Sequence, residues 1–482
     1  MTKKVAVIDL GSNSARMVIF GRTSRLGFYI LGEYKMKVRL GEGAYEHSGI
    51  IQEDAMKKCF GAFVEFRKIL NRYKIQKILA VGTSALRDAK NANEFINMVK
   101  KLGISLKVVD GDMEAYYGGF GAARLVKYPN NATTIDIGGG STELAKIENG
   151  KVVKTLSLNL GTVRLKELFY DKENLNGLDE FVKELTDKIS KDFQNNTIIS
   201  IGGSLRAISN AIIQRKNYPL KMVHGFSYNY EKEKGFIEKI YSSKISDLGN
   251  FFIKKDRFDT IRGGAYIFKK VADILKAKEI ITSGVGVREG VFLTNLIGKN
   301  AKFPGNFNPS LKSLQDRFIT QNRPNITKFS KELFYTLKPL HKVSENYINE
   351  LLTASKLTDI GRKIGFYSKH LNANFIILNA LNYGYTHKEK ALIATIIKQN
   401  GKKNISQIEY EELKELLPDE NSVIWLSFIL KLATVLDYSD IKNVSLSYKN
   451  KTLEIYGLKE DEYIKDTIKK MQKPGIFAIT FN

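Results

Sequence analysis

The sequence predicts an α/β protein in which one strand-and-turn plan occurs twice, giving two lobes around a cleft, followed by a mostly α-helical domain. Three observations predict it. Val5 to Ser14 reads V-A-V-I-D-L-G-S-N-S, a β-rich apolar run that ends in Asp9 and the small-residue turn Gly11-Ser12-Asn13-Ser14. Thr133 to Glu143 repeats the plan as T-T-I-D-I-G-G-G-S-T-E, with Asp136 ahead of its own Gly/Ser turn, and each copy continues as a β-hairpin. Beyond about Gly305 the texture changes: Pro304, Pro309, Pro324 and Pro339 punctuate the chain, and helical patterns replace β-rich runs.

The repeated turn has a chemical meaning. A strand ending this way brings one carboxylate and several backbone N–H groups to one point. Amides and hydroxyls can then face a phosphate while the carboxylate faces a divalent cation or its waters. Two such turns on opposite lobes make a clamp.

In chain order, the first turn leads into the strand Met17–Phe20, a basic turn Arg22–Arg25 and a second strand Phe28–Leu31. Residues 52–72 place Ala55, Met56, Cys59, Phe60, Phe63, Phe66, Ile69 and Leu70 at helical spacing, one face of an amphipathic helix. The strand Ile78–Val81 opens into Gly82-Thr83-Ser84-Ala85-Leu86-Arg87-Asp88, and Leu106–Val109 runs into Asp110-Gly111-Asp112-Met113-Glu114-Ala115, where a helix begins. After the second turn, Leu144–Ile147 and Val152–Leu158 flank Asn149-Gly150, a strong hairpin signal. Ile198–Ile201 then breaks into Gly202-Gly203-Ser204, and Ile280–Ser283 into Gly284-Val285-Gly286, glycines where a backbone must approach a ligand or another segment. Segments 301–325 read as a linker. Helical patterns follow at Ile348–Gly361, Lys388–Lys398, Glu409–Leu417 and Val423–Tyr438, with a β-rich stretch at Val444–Tyr456. The expected domains are 1–125, 126–304 and 305–482.

At 482 residues the chain is too long for one core, and its hydrophobic share of 43% is that of a globular protein. It holds no run of about 18 uncharged apolar residues, and Lys3-Lys4 lead into a strand rather than a signal-peptide core. One cysteine, Cys59, forms neither an internal disulfide nor a thiol metal cluster, so a cytoplasmic setting is expected. The 76 Lys and Arg against 51 Asp and Glu leave a formal charge of +25. That implies affinity for polyanions, of which nucleic acid, polyphosphate and anionic lipid all qualify by charge, or else a habit of placing lysine on solvated faces.

The motifs Asp9-Leu-Gly-Ser-Asn-Ser14 with Arg16, Thr83-Ser-Ala-Leu-Arg87, Gly111-Asp-Met-Glu114-Ala115, Asp136-Ile-Gly-Gly-Gly-Ser-Thr-Glu143, Gly161-Thr-Val-Arg164-Leu and Ile201-Gly-Gly-Ser204, in this order, resemble the Ppx/GppA family of exopolyphosphatases and guanosine pentaphosphate phosphohydrolases. The resemblance implies the actin-like ATPase superfold of sugar kinases and Hsp70 over residues 1 to about 295, with an HD-like helical domain after it. It implies orthophosphate release from inorganic polyphosphate, conversion of guanosine pentaphosphate to tetraphosphate, or both, with neither preferred by the sequence. It also implies a homodimer that acts on neither membrane nor nucleic acid.

Residue by residue, the resemblance makes Glu114 the base that activates water. The helix dipole at its first-turn position favours the ionised form. Arg87 is expected to grip phosphate bidentately. Asp9, Asp136 and Glu143 are the candidates for Mg2+ or another divalent cation, and Gly11, Ser12, Asn13, Ser14, Arg16, Gly138, Gly139, Gly140, Ser141 and Thr142 for the substrate phosphates. Gly202, Gly203 and Ser204 stand where nucleotide-binding members of the superfold contact adenosine. A superfold kinase using ATP and a non-enzymatic polyanion-binding protein remain as alternatives.

The C-terminal domain departs from a working HD site, which pairs histidines with aspartates on metal. Ser355–Gly361 carries Thr358 where the histidine should stand, the next segment offers only His370, and the chain's five histidines are scattered at 47, 224, 341, 370 and 387. A binding and assembly module is expected. Lys338, Lys342, Lys356, Arg362, Lys363, Lys369, Lys398, Lys402 and Lys403 are candidates for a basic track that holds long polyphosphate.

Overall fold

The structure, a computed structural model, describes residues 3–43, 49–401, 407–438, 444–458 and 461–482. It divides into two compact units, Met1–Pro309 and Ser310–Asn482. His47, Lys402 and Lys403 lie outside the described residues.

Two sheets built on one plan organise the first unit. In the first, β1 (Lys4–Leu10), β2 (Ser14–Arg22) and β3 (Phe28–Lys37) form an antiparallel meander, and β1 pairs in parallel with β4 (Lys77–Gly82), which pairs with β5 (Leu106–Val108). The second sheet comprises β6 (Asn131–Ile137), β7 (Thr142–Glu148), β8 (Lys151–Leu158), β9 (Thr197–Ile201), β10 (Ser227–Asn229) and β11 (Glu279–Thr282), in the order β8-β7-β6-β9-β11-β10. Here β6, β7 and β8 repeat the meander, and β9 and β11 follow in parallel. The central strands are apolar without alternation, Ala6-Val7-Ile8 and Ile198-Ile199 being wholly buried, because helices cover both faces of each sheet. The helix Glu53–Arg72 turns Met56, Cys59, Phe63, Phe66 and Leu70 inward, the face that the apolar spacing predicts.

Each half lends a helix to the other. The helix Gly111–Leu125 follows β5 in sequence yet packs on β7 and β8; a Cβ at Gly119 would stand 2.6 Å from that of Ala145. The helix Val287–Ile297 follows β11 and packs toward β1, its Phe292 ring stacked 4.1 Å from Phe20. Where the two helices cross, a Cβ at Gly290 would fall 1.9 Å from the Tyr117 carbonyl oxygen, so only glycine permits the approach. This crossing sets the two Asp-containing turns face to face. The division of the first unit at 125/126 we keep as a proposal, with the helix before it serving the later sheet.

The second unit packs the helices Pro309–Phe318, Pro324–Thr336, Ile348–Leu357, Lys369–Ala380, His387–Gln399 and Glu420–Leu436 around a core that includes Leu333, Leu351, Ile393, Trp425 and Ile429. A small sheet of β12 (Ser445–Lys449), β13 (Thr452–Tyr456) and β14 (Ala478–Phe481) follows. Two expectations need correction. The stretch 301–325 contains the helix Pro309–Phe318, because Pro309 and Pro324 stand at helix starts, where a missing N–H costs nothing, rather than marking open linker. The strand Ala478–Phe481 went unforeseen, since it is short, buries none of its residues and is defined by its pairing with β13. His341 is a packing residue: its Nδ1 accepts from Val343 N at 2.9 Å and its Nε2 donates to Phe334 O at 2.8 Å. Among the described residues no helix is long and apolar enough to cross a membrane.

Candidate active site

The two turns are built alike. Gly11 N donates to Ser14 O at 3.1 Å and Gly138 N to Ser141 O at 2.9 Å, closing the same loop at the end of β1 and of β6. Sheet register extends the equivalence: Asp9 stands opposite Arg16 across β1–β2, and Asp136 opposite Glu143 across β6–β7. One copy therefore presents a carboxylate with a guanidinium, the other two carboxylates.

Between the turns lies a cavity of about 140 Å3. Asp9, Glu114, Asp136 and Glu143 line it, as do Gly11, Ser12, Asn13, Ser14, Arg16, Gly138, Gly139 and Ser141, and also Gly202, Gly203 and Ser204. Residues from four regions of the sequence thus meet in one space. Gly140 and Thr142, expected among the phosphate contacts, do not line it: the Gly140 carbonyl accepts from Arg164 Nε at 3.1 Å, and the Thr142 hydroxyl is spent on the Leu160 carbonyl. Thr142 opens β7, where the alternation of the strand turns its side chain into the core.

Glu114 occupies the first turn of its helix behind the N-cap Asp110, whose side chain accepts from Met113 N at 2.7 Å. Its Oε2 accepts from Arg87 Nη1 at 3.0 Å, and Arg87 also donates to Val109 O at 3.3 Å. Arg87 does not line the cavity itself. Its guanidinium is committed to Glu114, with Asp88 Oδ1 at 3.7 Å and Arg164 Nη2 reaching Asp88 Oδ2 at 3.1 Å.

Burial governs the protonation of these acids. It pushes Glu114 up to about 8 despite the opposing pull of Arg87. The expectation that the helix dipole keeps Glu114 ionised is corrected: a terminal dipole contributes about 1 kcal/mol and fades with distance, whereas desolvating a carboxylate costs more. Burial likewise raises Asp136 to about 6, and raises Asp9 and Glu143, the latter further by the nearby Glu114 and Asp136. Ser157 Oγ donates to Glu143 Oε1 at 2.9 Å.

Three arginines escaped the sequence reading. Arg206, Arg257 and Arg288 all line the cavity. Arg206 donates through Nε to Ser283 O at 2.8 Å and through Nη2 to Val285 O at 3.3 Å, while Arg288 pairs with Glu33 at 2.7 Å. Arg257 lies against Gly203, where a Cβ would meet its Nη1 at 2.7 Å. The available signal was weak: Arg206 and Arg288 each stand two residues after the end of a glycine-containing turn, at Ser204 and Gly286, as Arg16 does after Ser14. Arg16 itself is an inner residue rather than a rim charge, and burial together with Arg288 and Arg206 draws it down to about 10.

The carboxylates also answer whether a divalent cation fits. Among the described residues no three acidic, histidine or cysteine side chains form a ready-made metal cage. Mg2+ does not require one, since it keeps waters and takes one or two carboxylates with substrate phosphate oxygens. Several hard oxygen donors, held above their usual pKa by burial, fit such an ion.

A consequence is measurable without catalysis. A carboxyl raised in the folded state holds its proton longer than in the unfolded chain, so metal-free stability falls as pH rises through the window between the two values. For Asp136 that window runs from 3.8 to about 6 and for Glu114 from 4.5 to about 8. Mg2+ binding requires the ionised forms. Mg2+ should therefore raise Tm more at pH 8 than at pH 6, as thermal unfolding will record. An equal gain at both pH values would place the ion away from these acids.

The comparisons with known proteins agree with this geometry. Residues 18–298 match the model of the Ppx/GppA phosphatase family, and residues 309–466 the model of Ppx/GppA phosphatase, domain III. A guanosine-5'-triphosphate,3'-diphosphate pyrophosphatase of Pseudoalteromonas translucida is 27% identical over 410 residues, covering 82% of this chain and 80% of that protein. A bifunctional 3-dehydroquinate synthase/phosphatase of Fusobacterium nucleatum is 28% identical over 309 residues, covering 58% of this chain and 44% of its own length. Among solved structures, an Aquifex aeolicus Ppx/GppA family member superposes with a TM-score of 0.53 at 27% identity, over 63% of this chain and 100% of its own. A Cytophaga hutchinsonii exopolyphosphatase, at 22% identity, shares the fold with a TM-score of 0.53, over 62% of this chain and all of its own. The paired sheets are those of the actin-like ATPase fold, and the chain belongs to the Ppx/GppA phosphatase family.

Proposed function

We propose that this protein hydrolyses terminal phosphoanhydride bonds, releasing orthophosphate from inorganic polyphosphate, from guanosine pentaphosphate to leave the tetraphosphate, or from both. The observation that carries the proposal is Glu114, buried on the wall of a cavity between two phosphate-type turns, with a pKa near the operating pH of a general base. In this reading Glu114 takes the proton of the attacking water, and Arg87 holds the carboxylate aimed at it. The amides and hydroxyls of Gly11–Ser14 and Gly138–Ser141, with Arg16, bind the phosphate oxygens. Asp9, Asp136 and Glu143 hold Mg2+, which when bound neutralises charge on the transferred phosphoryl group.

Gly202 is set by geometry first. Its φ of 100° lies in the region open to glycine, and a Cβ would stand 2.8 Å from Ile137 O. Its part in nucleotide contact, with Gly203 and Ser204, is the point on which the two substrates differ. The cytoplasmic setting fits a single cysteine that is buried and unpaired, and the homodimer belongs to the same proposal.

Orthophosphate release from long polyphosphate and from guanosine pentaphosphate, assayed side by side, tests the reading. Release from at least one, dependent on a divalent cation, is expected. No release from either, with ADP formed from ATP in the presence of an acceptor, would favour a kinase instead.

A further inference from the structure

The unit Ser310–Asn482 holds a cavity of about 550 Å3, bounded by the helix Pro309–Phe318, the loop after it, the start of the helix Pro324–Thr336 and the end of the helix Ile348–Leu357. Arg323 is its anchor. Arg323 Nε donates to Asp437 at 2.6 Å, its Nη1 donates to Asp359 at 3.0 Å, and its guanidinium lies 4.9 Å from the centre of the Tyr438 ring. Asp359 also faces Lys369 Nζ at 3.4 Å. These side chains are nearly enclosed, Arg323 being 12% exposed and Asp437 6%.

Two facing carboxylates with an enclosed site are what a metal ion would use, but here the positive charge is built in. Arginine stays charged at every accessible pH and offers its fork in a fixed plane. With Nε and Nη1 engaged, Nη2 donates to no protein acceptor among the described residues. Lys356 lines the same cavity and pairs with no carboxylate among the described residues, and the amides of Gln315, Gln321 and Asn322 are likewise uncommitted. The wall's other acid, Asp316, is answered by Lys312 at 2.6 Å. Thr358, also on the wall, spends its hydroxyl on Ala354 O at 3.0 Å. The two carboxylates are thus taken by a pinned guanidinium, and the cavity is furnished besides with one exposed ammonium and several amides.

We propose that this cavity is a binding site for a phosphate ester of nucleotide size. The phosphate bonds to Arg323 Nη2 and Lys356, the ring lies against Ile319 and Pro324, and Gln315, Gln321 and Asn322 meet its polar edge. The volume falls in the range of small-molecule sites and far exceeds what orthophosphate fills. A charged donor whose side chain is pinned in advance by two carboxylates loses little entropy on binding. No residue of this site is among those lining the hydrolytic cavity, so the inference does not depend on the proposed reaction.

The test uses guanosine monophosphate, which has no phosphoanhydride to cleave, titrated calorimetrically into the full chain, with hydrogen exchange read on the same complex. Expected is binding that slows exchange at 319–323 and 355–359 and that weakens about tenfold or more in Lys356→Glu, the scale of a lost bond to a charged group. Arg323→Met strands two enclosed carboxylates and is prone to unfold; the exposed Lys356 and a second surface change, Asn322→Asp, keep the test decisive. Protection confined to the turns at 9–14 and 136–141, or affinity unchanged in both variants, overturns the proposal. Orthophosphate binding as tightly as the nucleotide overturns its nucleotide-sized part and leaves an inorganic anion site.

Discussion

Glu114→Gln is expected to lower orthophosphate release by about a hundredfold or more while substrate binding and fold persist, the range seen when a general base is removed. The amide keeps the shape of the side chain, and its carbonyl oxygen can still accept the bond that Arg87 Nη1 now makes at 3.0 Å. What it loses is the capacity to take a proton. Nor should the change destabilise the protein, since burial already holds the native carboxyl protonated up to about pH 8. The pH profile adds a second reading. In the native protein kcat/KM should fall as pH drops below the Glu114 pKa, because protonation removes the base, and bound Mg2+ should move that limb toward lower pH by favouring the charged form. The limb should vanish from the residual activity of Glu114→Gln. Turnover within about threefold of native would move the base elsewhere.

Asp136→Asn should raise the Mg2+ concentration for half-maximal activity by about tenfold or more, and chelation of the ion should silence the native enzyme. Asp136 lies at the end of β6 opposite Glu143, and both face the cavity with Asp9. Removing one of these negative charges leaves Arg206, Arg16 and Arg288, which now partly offset it, to repel the cation. Glu143→Ala should act in the same direction. An unchanged Mg2+ dependence in both variants would overturn the metal assignment, and the thermal shift at two pH values would show whether the ion binds there at all.

The parts of the site that were legible in the sequence are those made by adjacent residues. Asp9 with Gly11–Ser14, and Asp136 with Gly138–Ser141, could be read because a β-rich run, a carboxylate and a small-residue turn build their geometry within about ten residues. Glu114 was readable as a helix-start carboxylate following a strand. Thr142 was misassigned because turn and strand meet there, and one residue of pleat decides whether a hydroxyl faces the ligand or the core. The linker failed for a related reason: Pro309 and Pro324 look alike as helix starts and as loop residues until a helix is seen to follow.

By itself the sequence determined the duplicated plan, its two Asp-containing turns and the helical third region, which follow from short-range periodicity and turn chemistry, and its ordered motifs carried the resemblance to the family. Only the tertiary structure decided which arginines enter the cavity, since Arg288 meets Glu33 across 255 residues and Arg206 is held by carbonyls near 283 and 285. It also decided that Glu114 is held near pH 8 rather than ionised by its helix, and that Arg323 fills the space between Asp359 and Asp437. The reason is physical: a side chain's charge state and partners depend on what excludes water from it, and that covering comes from segments distant in the chain.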